Sequence, residues 1–256
     1  MSTALDVVAL SARRTWTKTI RRPVVLYFSL VQPLIWMTFF GFLFARYRLE
    51  LAGEVAYLDF LAPGVSAMTV LFGASQSGIG WIRDLQTGFL PRLLNTPASP
   101  DALLAGKVLA DVARLLAQAL AVLALAWLLG ARLTPPSTAL VPAAAGLTLF
   151  AVAFSCVSCA VALGSRAQEA MAVFVQVVNM PLLFTSTALV PSRQMPEWLA
   201  ALARWNPLTL AVDGWRGALL FGEAPSWTSQ VLPLAVLAVV LYTLASWAMR
   251  RVGDQY

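Results

Sequence analysis

The chain has 256 residues, of which 59% are hydrophobic and 12% charged, with a formal net charge of +6. A soluble domain carries roughly 25% charged residues, and at a mean hydropathy of +0.75 this chain lacks the polar surface to cover itself in water. These figures exclude a soluble enzyme, a disordered chain and a nucleic-acid-binding domain, and leave a polytopic membrane protein.

The chain contains no histidine, which excludes His-ligated metal centres and Ser-His-Asp catalysis. No catalytic residue and no metal ligand set is expected. No Gly-rich phosphate loop of the Walker type occurs, so any use of ATP falls to another chain.

In chain order, the first element is a basic amphipathic segment over residues 1–22. Leu5, Ala9, Ala12, Trp16 and Ile20 follow helical spacing, while Asp6, Arg13, Arg14 and Lys18 fall largely elsewhere. That pattern predicts a helix lying in the membrane interface, either as an anchor or as a lever toward a partner. Pro23 then breaks it. A bilayer crossing takes about 20 apolar residues, and six stretches qualify: 24–45, 60–82, 108–130, 138–164, 170–190 and 228–249. The first run has a basic segment in front and no small-residue cleavage exit, so it is expected to stay in place as an anchor. Thr134-Pro135-Pro136-Ser137 reads as a turn.

With the N-terminus inside, eleven Lys and Arg fall in inner segments and six in outer ones, Arg114 lying within the third span. This bias orients both termini to the cytoplasm and explains the positive charge as a topology signal. The expected site is the inner (cytoplasmic) membrane.

Two connections are more than turns. The inner loop over 83–107 gathers Leu85, Phe89, Leu90, Leu93 and Leu94 among Arg83, Asp84 and Arg92. A short amphipathic helix of this kind wants a groove for its apolar side, supplied by a partner protein or by the membrane surface. The outer segment over 193–223 is too long for a turn and too polar for a span. Pro196 suits the start of one short helix, and Asn206 before Pro207 is an N-cap followed by a first-turn proline. Leu208, Ala211, Val212, Trp215 and Leu219 then share a face, Asp213 and Arg216 stand three apart, and Gly222 can end the helix. Two short helices broken near Asn206 fit a re-entrant or interfacial hairpin, with Asp213–Arg216 either a gate contact or a local pair.

Within the spans, Asp111 and Arg114 are spaced to face each other on one helical turn. Gln32, Gln76, Gln176 and Asn179 are uncharged polar groups that line a path or join helices. Pro33 and Pro181 predict kinks. Cys156 and Cys159 have the spacing of a redox motif, but an apolar span disfavours a thiolate, and small residues at a helix contact explain them better. The chain is therefore predicted to be an all-α polytopic membrane protein, one domain over 1–256.

Four motifs together resemble the membrane subunit of a type-2 ABC exporter. They are Tyr57 to Gly64, Arg83-Asp84 through Gly88-Phe-Leu-Pro-Arg92-Leu-Leu-Asn-Thr-Pro97 to Lys107, Pro191 to Trp198, and Asn206-Pro207 with Val212 to Gly217. Their order and spacing match over nearly the whole chain. The Gly-Phe-Leu and Thr-Pro variants are similar to permeases of drug-resistance, Nod-factor and polysaccharide exporters. Pro91 departs from the pattern, where a charged residue or another helix former is usual. The resemblance implies a dimeric permease docked to two separate ATPase subunits. It implies ATP and Mg on the partner, none on this chain, and a hydrophobic or amphipathic cargo such as a lipid or drug. Arg83, Asp84, Gly88, Phe89, Leu90, Arg92, Leu93 and Pro97 would belong to the coupling helix, with the N-terminal helix as a second docking element. Asn206, Pro207, Asp213 and Arg216 would stand near the outer end of the path. The main alternatives are an ion-coupled secondary transporter, which needs inverted repeats and a mid-membrane acid, and a non-transporting scaffold.

Overall fold

The computed structural model describes residues 4–20, 23–44, 48–50, 54–96, 99–133 and 137–253. Pro97 and the Pro135-Pro136 turn lie outside them. The chain begins with α1 (Ala4–Ile20) and α2 (Pro23–Leu43). A two-stranded antiparallel hairpin follows, Arg48–Glu50 against Glu54–Ala56, which the sequence reading did not foresee. Next come α3 (Tyr57–Ser75), α4 (Ile79–Gln86), α5 (Phe89–Leu94), α6 (Pro100–Leu128), α7 (Ser137–Ser165) and α8 (Gln168–Phe184). The chain closes with α9 (Glu197–Trp205), α10 (Pro207–Arg216) and α11 (Leu232–Gly253), wide π-type turns flanking the last connection at Gly217–Phe221 and Trp227–Val231.

Among the described residues, four stretches are long and apolar enough to cross a membrane: Tyr57–Gln86, Pro100–Leu128, Thr138–Ser165 and Trp227–Gly253. Val31–Leu43 and Gln168–Phe184 are shorter apolar stretches. Helix boundaries follow local chemistry. The Ser99 side chain accepts from the Ala102 amide at 3.2 Å, Pro100 fills the first position and Asp101 faces the helix dipole. α6 therefore starts at Pro100, and the segment expected as a loop through Lys107 is divided among α4, α5 and the first turns of α6.

α3 is the axis of the molecule. It is buried along nearly its whole length and packs on α2, α6, α7, α8 and α10. α7 and α11 form the most extensive helix pair, and α1 lies along α6. The α1–α6 approach is close: Ser11 Oγ donates to the Leu103 carbonyl at 3.1 Å, and a side chain at Gly106 would run into the Val8 carbonyl. At the same end, Ser246 and Arg250 of α11 bond the Asp101 carboxylate. Cys156 and Cys159 are buried free thiols in α7.

Most of the strongly exposed tryptophans cluster at the ends of the bundle. Trp127, Trp198, Trp205 and Trp227 sit around the end where α3 begins, and Trp16 and Trp247 belong to the opposite end. Rings at two levels of an otherwise apolar bundle are the pattern of membrane-interface belts.

Candidate functional site

Two polar assemblies cap the two ends of the α3–α4 axis. The first is built on α4 and α5. Gly88 turns the chain between them with φ +69°, a conformation glycine adopts freely. Asp84, buried on α4, accepts from Arg14 at 3.1 Å and from Lys18 at 3.0 Å, both on α1. The Arg14 guanidinium also lies 3.6 Å over the centroid of the Phe89 ring. Two cations and one ring thus lock the N-terminal helix to the α4–α5 segment, with charge-assisted bonds and a cation–π contact.

The residues of that segment separate into two kinds. Leu90 is fully buried in this chain's own core, so its apolar side already has a groove. Arg83 and Arg92 are exposed, Phe89 keeps 37% of its surface open and Leu93 is half-buried. The open surface of the segment is thus carried mainly by Arg83, Phe89 and Arg92, with Leu85, Leu93 and Leu94 half-buried beside them.

The second assembly joins α10 to α3 and to the turn after α8. Asn206 caps α10 by accepting from the Leu208 amide at 2.8 Å, and its Nδ2 donates to the Leu182 carbonyl at 2.7 Å and to Thr185 Oγ1 at 2.9 Å. Pro207 occupies the first helical position, as the sequence predicts. Arg216 is buried and spends its donors on the carbonyls of Phe60 (3.2 Å), Thr187 (2.9 Å) and Ala188 (3.3 Å) and on Asp213 (3.3 Å). Its guanidinium stacks 3.7 Å from the Phe60 ring centroid. Burial lowers its pKa to about 10, with Asp213 opposing the shift, so it stays charged at neutral pH. Asp213 also accepts from Thr187 Oγ1 at 2.6 Å, and Trp215 Nε1 donates to Ser66 Oγ at 2.9 Å. The Asp213–Arg216 contact is thus one bond in a clamp on main-chain carbonyls.

Elsewhere the sequence pairing is revised. Asp111 pairs with Lys107 at 2.6 Å, not with Arg114, which donates to Gln118 at 3.0 Å. Lys107 stands one turn earlier on the same face, and its long stem lets the ammonium reach both the carboxylate and the Ser77 carbonyl at 3.0 Å. Of the four uncharged polar residues, Gln32, Gln76 and Gln176 are exposed, whereas Asn179 is buried and accepts from Ser75 Oγ at 2.9 Å. Sequence reasoning did not connect Ser66, Ser158 and Thr187 to partners distant in the chain, nor Lys107 to Asp111 and Ser77.

Apolar helices of membrane-spanning length with exposed tryptophans toward both ends are those of a multi-pass membrane protein. The chain belongs to the ABC-2 type transporter family, whose model matches residues 7–220. A protein named transport permease ycf38 from Cyanophora paradoxa is 31% identical over 204 residues, which is 78% of this chain and 70% of that protein. The daunorubicin resistance ABC transporter permease protein DrrB1 of Streptomyces coeruleorubidus is 29% identical over 228 residues, 89% of this chain and 79% of the relative. A doxorubicin resistance ABC transporter permease protein, DrrC, from Mycobacterium tuberculosis is 23% identical over 242 residues, 89% and 86% of the two chains. The chain is accordingly a membrane permease of an ABC transporter, a transport subunit.

Proposed function

We propose that this permease is the membrane half of an ATP-driven exporter, working as a dimer with two separate ATPase subunits that hold the ATP and Mg. The observation that carries this reading is the α4–α5 segment, which presents Arg83, Phe89 and Arg92 outward while Asp84 ties it to α1. Such a segment is a handle: pushed from outside, it moves α1 and the end of the α3–α4 axis together. In this reading α2 and α8 complete six spans, both termini lie in the cytoplasm of an inner-membrane protein, and α9–α10 forms the outer hairpin. The exposed face of α8, with Val173, Gln176, Val177 and Phe184, is offered to the second copy and to a hydrophobic or amphipathic cargo. The drug-resistance names of two relatives favour export of such a cargo. The Asp111 carboxylate is paired with Lys107, which gives no support to an ion-coupled carrier.

The test is affinity purification of the tagged chain from native membranes in mild detergent. A stoichiometric partner with Walker motifs is expected with the wild type. Charge reversal of Arg83 and Arg92 to Glu should cut its recovery at least about tenfold, as expected when charged groups at an interface core are set against their partner. An intact permease that comes down alone, or partner recovery unchanged by the double reversal, would overturn the docking assignment.

A further inference from the structure

Tyr57–Gln86 is one membrane-length apolar stretch, yet its helix stops at Ser75 and restarts at Ile79. No proline stands at the break. The sequence there is Ser75-Gln76-Ser77-Gly78, a Ser/Gly combination of the kind that kinks helices. Tight turns replace the regular ladder, with Ser77 N–H donating to the Ala74 carbonyl at 3.0 Å and Ile79 N–H to the Gln76 carbonyl at 3.1 Å. Backbone groups freed by such a break in apolar surroundings have to be satisfied by neighbouring helices.

Two residues do this. Ser158 of α7 bridges the gap, its Oγ donating to the Ser75 carbonyl at 2.6 Å and accepting from Gly78 N–H at 2.9 Å. Lys107 of α6, held by Asp111, donates to the Ser77 carbonyl at 3.0 Å. Asn179 of α8 adds a third grip through Ser75 Oγ. On the far side of the break, α4 carries Asp84 and its lock to α1. The Ser77 hydroxyl and the Asn179 Nδ2 are buried at this place without a hydrogen-bond partner, so a second arrangement of the break has polar groups ready to use.

We propose that Gln76–Gly78 is a joint in the second span and that Ser158 and Lys107 are positioning residues that set its angle. Through it, movement of the α4–α5 segment reaches α6, α7 and α8. This rests on the exporter reading for the origin of the movement, but the joint itself is a property of the chain alone.

The test uses the full chain in phosphatidylcholine–phosphatidylglycerol nanodiscs, with spin labels at N95C near the end of α5 and L129C at the far end of α6. Both sites are exposed. Without any partner, Ser158→Ala should raise the population of alternative N95C–L129C distances at least about fivefold, because a buried carbonyl and amide lose their shared partner. Ser155→Ala, one turn away on the same helix with a hydroxyl that bonds nothing in this arrangement, should leave the distribution as in the wild type. Equal distributions in Ser158→Ala and wild type, or equal broadening by Ser155→Ala, would overturn the joint. With the ATPase bound, trapped nucleotide should shift both N95C–L129C and a second pair, W205C–L129C, in the wild type. Ser158→Ala should keep ATP hydrolysis within about twofold and the first shift while losing the second. Persistence of both shifts in Ser158→Ala would overturn the transmission role. A wild type that responds to nucleotide at neither pair would overturn the exporter reading, and the partner-free comparison would still decide the joint.

Discussion

The two ends of the α3–α4 axis are held by opposite means. At the α4–α5 end, a buried carboxylate faces two cations that keep 31% and 53% of their side-chain surface in contact with the surroundings. At the α10 end, a guanidinium with 7% of its surface left is spread over main-chain carbonyls from two segments. In the first arrangement either cation can let go into water while the other still holds the carboxylate. The second has no such release, because a freed guanidinium and its freed carbonyls would all be stranded inside. In the proposed exporter, the first end would serve as the handle and the second as the fixed clamp.

The sharpest way to break this contrast is Arg216→Leu. Loss of a buried charge that satisfies several carbonyls should cost about 3–5 kcal/mol and leave little monodisperse protein after detergent extraction. Arg216→Lys should rescue poorly, because an ammonium cannot serve the same fork of acceptors. A smaller effect is expected of Asp84→Ala. Its partners are partly exposed and screened, so the loss should be about 1–2 kcal/mol. The difference between this variant and the wild type in thermal unfolding should shrink as salt rises toward 1 M, where the screening length is about 3 Å. Salt dependence at Arg216, or none at Asp84, would erase the distinction between the ends. Smallest should be Trp215→Phe, which keeps the packing and loses only the bond to Ser66, for about 1 kcal/mol in the same unfolding assay.

What the sequence revealed was whatever is local. The Asn206-Pro207 start of α10, and the left-handed Gly222 that closes the π-type turn after it, follow from neighbours within one turn. What it hid depended on distance along the chain or on the surrounding solvent. Asp84 lies 66 residues from Lys18, and no spacing rule connects them. For Asp111, helical geometry admits partners on either side, and the choice fell to Lys107 because Ser77 needed the same ammonium. The face of α1 is instructive in another way. Its apolar stripe stays open, with Leu5 at 79% and Trp16 at 41% exposure, while Val8 and Ser11 meet α6 at Gly106. Where lipid is the solvent, small residues make the helix contact and large apolar ones face out. Among the leucines over 83–94, Leu90 is covered by its own chain, while Leu85, Leu93 and Leu94 are half-buried.

The length of α8 has a consequence for the membrane itself. Seventeen residues rise about 25 Å at 1.5 Å each, against a hydrocarbon thickness of about 30 Å. As a span, α8 therefore ends short of one lipid surface. Its far end is the turn over residues 185–189, whose main-chain groups are taken up by Arg216, Tyr57 and Thr209 instead of water. A turn satisfied in this way can sit below the headgroups. In the proposed six-span exporter, the bilayer beside it would have to thin to meet it, and a greasy cargo would have the least distance to travel there.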